Sequence, residues 1–322
     1  MQTRQLGYSD LHISTIGLGT WAMGGGDWQF GWGPQDDQDS IAAIHEALDT
    51  GINWIDTAAI YGHGRSEEIV GKAIAGRRDS LVVATKCSRV WEGESREIGK
   101  SLKAASIRRE VEASLRRLNV EVIDLYQIHW PEPDEEIEEG WATMAALVQE
   151  GKIRYAGVSN FSLAQLKRAQ AIHPVASLQP PYSMLRREIE ADILPYCAQN
   201  QIGVIAYSPM QAGLQSRKMT RERIAQLPDS DWRSRNRFFQ EPQLSVNLQL
   251  IEGLRGIADR KGISLAQLSL AWVLRRSEMT AAIVGARKPG QIIETALAGD
   301  IQLNQAEIDQ IEVILQKREA AI

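Results

Sequence analysis

Short apolar runs recur along the chain at 15–19, 52–55, 81–84, 122–128, 153–158, 176–179, 204–207 and 281–284. Several are continuous rather than alternating, as Leu81-Val82-Val83-Ala84 shows. A strand covered on both faces requires such a run, so the pattern predicts buried parallel strands. Between the runs the apolar spacing lengthens to about 3.6 residues, the period of a helix with one buried face. Ile107, Val111, Leu115 and Leu118 share one stripe, while Arg108, Arg109, Glu112, Arg116 and Arg117 take the other side.

Boundary signals agree with this reading. Ser162 with Gln165, and Ser264 with Gln267, have the capping-box spacing, in which each side chain satisfies a backbone donor of the other residue. Gly51, Gly151 and Gly262 stand where helices should stop. Strands alternating with helices predict right-handed βαβ units on a parallel sheet. Eight units predict closure into a (β/α)8 TIM barrel of the α/β class. Residues 4–6 and 12–14 flank the turn cluster Gly7-Tyr8-Ser9-Asp10, which predicts an N-terminal β-hairpin capping one end of the barrel. After the seventh run come a long stretch, 208–242, and two helical patterns, about 244–261 and 264–276, that exceed a minimal barrel. A loop of that length is usually functional or mobile. No linker, low-complexity tract or short repeat breaks the pattern, so 1–322 reads as a single domain.

Composition narrows the class. Apolar residues make up 43% and charged ones 24%, which supplies a large core and excludes a disordered or collagen-like chain. Lys and Arg total 36 against 41 Asp and Glu, a formal charge of −5, so no global charge draws the chain to nucleic acid or an anionic membrane. Cys87 and Cys197 are too few for a disulfide framework or thiolate zinc site, as expected in a reducing compartment. The polar start and the lack of any long apolar stretch lead to the expectation of a cytoplasmic protein with no membrane partner.

In a barrel of this kind the active groups come from the C-terminal ends of strands and the loops beyond them. The second run leads into Asp56 and Tyr61, the third ends at Thr85-Lys86, and the fourth ends at Gln127-Ile128-His129-Trp130. Taken singly, each of these has a plain structural reading as a cap, solvated cation or hydrogen-bonded ring. An acid, a phenol, an ammonium and an imidazole at neighbouring strand ends together point to chemistry.

With these residues in place the sequence resembles the aldo-keto reductases over essentially its whole length. The likeness is carried by Gly17-Leu18-Gly19-Thr20-Trp21, Asp56-Thr57-Ala58-x-x-Tyr61-Gly62, Thr85-Lys86, Gln127-Ile128-His129-Trp130-Pro131, Gly157-Val158-Ser159-Asn160-Phe161, Gln179-Pro180-x-Tyr182-Ser183, Ala206-Tyr207-Ser208-Pro209 and Ile283-x-Gly285-Ala286-Arg287-x-Pro289. Within the family the wording is similar to bacterial reductases of general-stress and inositol-utilisation type, relatives of the potassium-channel β subunits. The resemblance implies hydride transfer from a nicotinamide to the carbon of a small carbonyl substrate.

Charge building on the carbonyl oxygen needs a proton donor and dipoles aimed at it. Tyr61 is the candidate donor, and Lys86 supplies a positive charge that favours phenolate and eases proton release. Asp56 is the counter-ion that a buried ammonium requires. A neutral His129 can donate a hydrogen bond to the substrate oxygen and orient it. No G-x-G-x-x-G follows a strand, so dinucleotide binding of the Rossmann type is not supported.

By resemblance, Ser159, Asn160 and Gln179 would grip the nicotinamide carboxamide and Tyr207 would stack on the ring. Gly19, Thr20, Trp21 and Asp56 would line the cofactor. Ser208, Met210, Gly213 and Leu214 would pass under the pyrophosphate. Beyond the eighth run, Gly285, Ala286, Arg287, Gln291, Glu294 and Thr295 would receive the adenosine end. Arg287 with Gln291 would hold the 2′-phosphate of NADPH/NADP+. Many relatives place Lys-Ser where this chain has Gly285-Ala286, Arg where it has Gln291 and Asn where it has Thr295.

Six of the nine tryptophans, Trp21, Trp28, Trp32, Trp91, Trp130 and Trp232, fall in predicted loops. Trp21, Trp28, Trp91 and Trp130 are expected to wall a pocket for apolar or aromatic carbonyls. The segment 217–237 carries Arg217, Lys218, Arg221, Arg223, Arg233, Arg235 and Arg237 against Glu222, Asp229 and Asp231, and either closes over cofactor phosphates or forms a solvated lid. The acidic stretch 131–139 reads as a solvated loop. A metal-dependent hydrolase would want paired histidines, and the five here include no His-x-His, so no metal is expected. The alternative reading is a cofactor-sensing binding subunit with little turnover. The protein is expected to be a monomer or weak homo-oligomer.

Overall fold

The computed structural model describes residues 1–26, 28–91, 93, 97–216, 219–228 and 231–322. The strands are β1 (Thr3–Gln5), β2 (His12–Ser14), β3 (Ile16–Gly19), β4 (Trp54–Asp56), β5 (Val82–Cys87), β6 (Arg89–Val90), β7 (Gly99–Lys100), β8 (Ile123–Ile128), β9 (Ile153–Ser159), β10 (Ser177–Gln179), β11 (Gly203–Ala206) and β12 (Met279–Gly285). Eight of them close a barrel in the order β3-β4-β5-β8-β9-β10-β11-β12, with β12 returning to β3. The expected (β/α)8 barrel is therefore the observed fold. The main helices between and after them are α1 (Asp37–Asp49), α2 (Arg65–Ala73), α3 (Ala104–Leu118), α4 (Ile137–Gln149), α5 (Leu163–Gln170), α6 (Ile193–Gln199), α7 (Arg221–Ala225), α8 (Gln243–Lys261), α9 (Leu265–Leu274), α10 (Gln291–Ala296) and α11 (Gln305–Glu319). Among the described residues, no helix is long and apolar enough to cross a membrane.

The two-residue period of a strand sets what the barrel holds. Trp54, Ala84, Leu125, Ile205, Ala281 and Ile283 point inward and form one cluster with Leu6, Leu11 and Ile13 of the N-terminal hairpin. That hairpin, β1 against β2, plugs the end of the barrel where the strands begin, and the Trp54 indole N–H donates to the Ser14 carbonyl at 2.8 Å. One period further along the same strands come Asp56, Lys86, Gln127 and Tyr207. The apolar plug thus gives way to a polar layer at the opposite end, where the strands finish. The second faces of the strands pack on the helix layer in a separate, larger core.

Local signals held in detail. Both expected capping boxes form, at Ser162 with Gln165 and at Ser264 with Gln267. Gly51, Gly151 and Gly262 adopt φ of 92°, 73° and 71°, the left-handed geometry that ends a helix at glycine. The helix after β12 begins at Gln291, with Gly290 at its N-cap. Two readings change. Of the two helical patterns after β11, α8 is extra to the barrel, whereas α9 is the regular helix before β12. The second extra helix is α11, which packs on α8 through Lys261–Glu307 at 2.8 Å and Arg318 to Asn247 at 2.8 Å. The ribbon β6–β7 on the loop after β5 was not expected, since two-residue strands carry no readable alternation.

Gly17 lies under the Trp54 indole, where a Cβ would sit 2.0 Å from Cε2. Gly17→Ala is therefore expected to cost about 1–3 kcal/mol through overpacking of the barrel floor. Urea unfolding measures this, and an unchanged midpoint would contradict that packing.

Candidate active site

Asp56 ends β4, Lys86 lies near the end of β5, and His129 follows β8 directly. Tyr61 sits on the turn after β4. The next residue, Gly62, has φ 63° and approaches Gly24 so closely that a Cβ would lie 2.1 Å from the Gly24 carbonyl oxygen, which locks that turn against the loop after β3. The structure brings all four residues together. The Lys86 ammonium donates to Asp56 Oδ1 at 2.6 Å and to the Thr57 carbonyl at 2.8 Å, and its Nζ lies 3.5 Å from the Tyr61 hydroxyl. The Tyr61 and His129 rings meet edge to face at 5.9 Å.

Burial dominates the titration of Lys86, Tyr61 and His129. It pulls Lys86 below the ordinary lysine range, while Asp56 and Glu67 pull it back. It lifts the Tyr61 phenol well above its usual value, with Asp56 and then Tyr207 adding to the effect. Burial beside a carboxylate keeps the phenol neutral and proton-bearing, with the Lys86 ammonium standing 3.5 Å from its hydroxyl. His129 is pushed well below its ordinary value by burial and then by Lys86 and Arg89, so the ring is neutral. Its Nδ1 is buried without a hydrogen-bond partner.

Behind this group lies a layer that sequence reading had not assigned to the acid. Gln179 donates to Asp56 Oδ2 at 2.8 Å and Gln127 to the same oxygen at 3.5 Å. Gln127 was legible from parity, because it lies two residues before His129 and so faces the same side of the strand. Thr20 also belongs here, with its hydroxyl donating to the Asp56 carbonyl at 3.1 Å, and Gly19 pairs in register with Asp56.

The residues expected at the nicotinamide form one chain of hydrogen bonds. The Tyr207 hydroxyl donates to Asn160 Oδ1 at 2.8 Å, the Asn160 amide donates to Ser159 Oγ at 3.0 Å, and Ser159 donates to the Gln179 carbonyl at 2.8 Å. Asn160 holds φ 62° and also donates to the His129 backbone carbonyl at 3.0 Å, so the chain is tied to the backbone that carries the imidazole. Donor and acceptor atoms of this kind fit a carboxamide. In the loop beyond Tyr207, Ser208, Gln211, Ala212 and Gly213 all have positive φ. The N–H groups of Gly213 and Leu214 donate to the carbonyls of Met210 and Gln211, which limits a backbone cradle for pyrophosphate to Ser208 and Met210. Gln215 in the same loop is fully buried with neither end of its amide hydrogen-bonded. A buried polar group left unspent is what a loop shaped for a polar ligand presents.

The adenosine-end residues are arranged differently from the expectation. Arg287 donates from Nε to Gln35 at 2.8 Å and from its two terminal nitrogens to the carbonyls of Trp32 at 3.0 Å and Pro34 at 2.6 Å. Gln291 accepts from the Arg287 backbone N–H at 2.8 Å. Thr295 is buried, and its hydroxyl turns back to Ile292 at 3.1 Å, so it serves α10. The Glu294 carbonyl accepts from Gln267, Ala286 is buried and Gly285 is exposed.

Trp21 and Trp28 flank Tyr61 with ring centroids 6.3 and 6.0 Å away. Trp232, from the long segment after β11, stacks on Trp21 at 5.3 Å and meets Trp32 at 6.1 Å. Trp91 packs on His63 at 5.4 Å. Trp130 does not join the wall: it is 37% exposed and lies beneath Arg89. Within 217–237 the described part is folded down, with Arg233 paired to Asp231 at 2.6 Å and stacked over Trp32; Arg217, Lys218 and Asp229 lie outside the described residues. The acidic stretch 131–139 is also tied down, by Arg168 to Asp134 and Glu138 and by Glu136 to the Leu102 N–H.

The sequence model of the Aldo/keto reductase family matches residues 15–316. The chain is 40% identical over 319 residues to an aldo-keto reductase of Bacillus subtilis (strain 168), covering 98% of this chain and 94% of that protein. It is 36% identical over 320 residues to the NADH-specific methylglyoxal reductase of Escherichia coli (strain K12), covering 95% and 96%. The solved structure of a glycerol dehydrogenase from Gluconobacter oxydans superposes with a TM-score of 0.90 at 40% identity, covering 98% and 96%.

Glu110 of α3 anchors the joint between Lys86 and His129. It accepts from the Ser88 N–H at 2.9 Å, and Ser88 holds φ 80°. Burial raises its carboxyl to about 7. A folded-state value above the unfolded one means that ionisation opposes folding, so this group's contribution is lost as pH rises toward about 7. The stability of Glu110→Gln relative to the parent is thus expected to improve as pH rises from about 4.5 to about 7. Thermal melts across that range check it, and a pH-independent difference would contradict the shift.

Proposed function

The chain belongs to the aldo/keto reductase family, and from that membership we propose that it reduces small aldehydes or ketones with NADPH, with Tyr61 giving the proton and Lys86, Asp56 and His129 arranging its delivery. The observation that carries this reading is the position of the Lys86 ammonium, 2.6 Å from Asp56 and 3.5 Å from the Tyr61 hydroxyl.

When bound, the dihydronicotinamide supplies the hydride. The protein supplies the rest. Neutral Tyr61 is the acid ready to protonate a carbonyl oxygen that gains negative charge. As the proton leaves, the phenolate forms beside a full positive charge, and that charge is already in place because Asp56 holds it. Neutral His129 offers a ring N–H that fixes the oxygen near the phenol. Asn160, Ser159 and Gln179 are the groups that would hold the carboxamide. Gln179 spends its side-chain N–H groups on Asp56 and Gln127, which leaves its side-chain oxygen Oε1 to accept. Ordering the cofactor would in this way be linked to ordering the acid. Trp21, Trp28 and Trp232 exclude water from the reacting atoms.

The preference for NADPH is supported by charge. Arg233 lies close enough to lower the Arg287 guanidinium further, after burial has done most of it, and Asp231 only partly offsets this. Arg233 is matched by Asp231, whereas the bonds of Arg287 go to neutral oxygens of Gln35, Trp32 and Pro34, so its charge is the one that would favour an anion. To take a phosphate, Arg287 would exchange neutral carbonyl acceptors for a charged one, a stronger hydrogen bond.

Tyr61→Phe is expected to leave NADPH binding intact while turnover of a simple aldehyde falls by about 10²–10⁴-fold, since only the transition state loses its donor. Unchanged turnover would remove Tyr61 from the chemistry, and tight NADPH binding by the parent without any turnover would favour a sensor. Arg287→Ala is expected to weaken NADPH binding far more than NADH binding in fluorescence titrations. Equal losses would contradict the phosphate assignment.

A further inference from the structure

Glu67 is fully buried on α2, within the stripe that also holds Val70 and Ile74. Its Oε1 accepts from the Thr85 hydroxyl at 2.6 Å and its Oε2 from Arg117 Nε at 2.6 Å. A paired charge in such a place is not better for stability than apolar residues of the same volume, so packing does not account for it. Its surroundings do. Thr85 precedes Lys86 on β5, and the strand's alternation sends the lysine into the barrel and the threonine out to α2. α2 itself follows the turn that carries Tyr61: the Ser66 N–H donates to the Tyr61 carbonyl at 3.2 Å, and the Ser66 hydroxyl lies 2.8 Å from Thr20 and 2.9 Å from Thr57. Glu67 therefore joins the element bearing the phenol to the strand bearing the ammonium.

We propose that Glu67 is a positioning residue for proton delivery, fixing β5 against α2 through Thr85 and placing a second negative charge behind Lys86. The proposal rests on the reading of Lys86 given above. Inside the barrel Lys86 meets Asp56 from β4, Tyr61 from the following turn, Gln127 in register on β8 and His129 just beyond it; on the outer side of β5, Glu67 of α2 holds Thr85 and Arg117 of α3, and Glu110 of α3 holds the Ser88 N–H. Asp56 and Glu67 are the two groups that favour its charged form. Arg117 partly neutralises Glu67 and, 5.7 Å above the Trp91 ring, closes the network toward the pocket loop.

The test is the pH profile of kcat/KM for NADPH-dependent reduction of a simple aldehyde, in the full-length protein. Loss of the Lys86 proton sets the alkaline limb. In Glu67→Gln, which keeps the size and the Thr85 contact, that limb is expected to move down by about 0.5–1 pH unit. In Arg117→Gln, which leaves the carboxylate uncompensated, it should move up. Opposite displacements are not produced by a purely structural role. Arg117→Gln alone decides the matter if Glu67→Gln does not fold by circular dichroism. A limb unmoved in either folded variant, or displaced in the reverse sense, overturns the proposal. Lys86→Met run alongside separates the two readings: retained turnover there rejects Lys86 itself, whereas lost turnover with an unmoved Glu67→Gln limb rejects only Glu67.

Discussion

An ammonium sealed in a barrel keeps its proton only while a carboxylate lies against it, and the Asp56–Lys86 pair is the contact on which the rest of this site depends. Both side chains are almost wholly buried, with 2.6 Å between them. Removing one member of such a pair leaves an uncompensated buried charge, at a cost of about 3–5 kcal/mol. The surroundings are built to prevent that. Thr57 gives Lys86 a second acceptor, while Gln179 and Gln127 occupy the carboxylate's other oxygen. Little freedom is left for the ammonium to leave the phenol.

The barrel generates this arrangement through strand parity. Inward positions near the strand beginnings are apolar and are closed by Leu6, Leu11 and Ile13 of the hairpin. The next inward positions are polar, and because Lys86 is in register with Gln127, and Asp56 with both Gly19 and Ala84, they lie side by side. One end is a packed floor, the other a polar rim, and the change takes a single strand period. The loops then supply what strands cannot: the Tyr61 hydroxyl from a turn locked by Gly62, and an aromatic wall from three separate segments.

The architecture was legible because its signals are local. Continuous apolar runs, capping boxes and glycine stops each report on a few neighbouring residues, and the strand ends pointed to the four side chains that the structure brings together at the rim. What sequence could not give is how a side chain divides its hydrogen bonds among distant partners. Arg287 looks free beside β12, yet it binds the loop at Trp32–Gln35, more than 250 positions away along the chain. Gln179 was assigned to a ligand and also steadies Asp56. Trp130 follows His129 but turns outward under Arg89. Glu67 left one trace, a carboxylate on an otherwise apolar helix stripe, which becomes meaningful only once Thr85 and Arg117 are seen to meet it.

The most direct measurement of whether this rim delivers protons is a crystal structure with NADP+ and an unreactive carbonyl analogue bound. The expected result is a carbonyl oxygen within hydrogen-bond reach of both the Tyr61 hydroxyl and the His129 ring, with Lys86 still paired to Asp56. An analogue bound productively beside the nicotinamide with its oxygen directed away from Tyr61 would contradict the assignment.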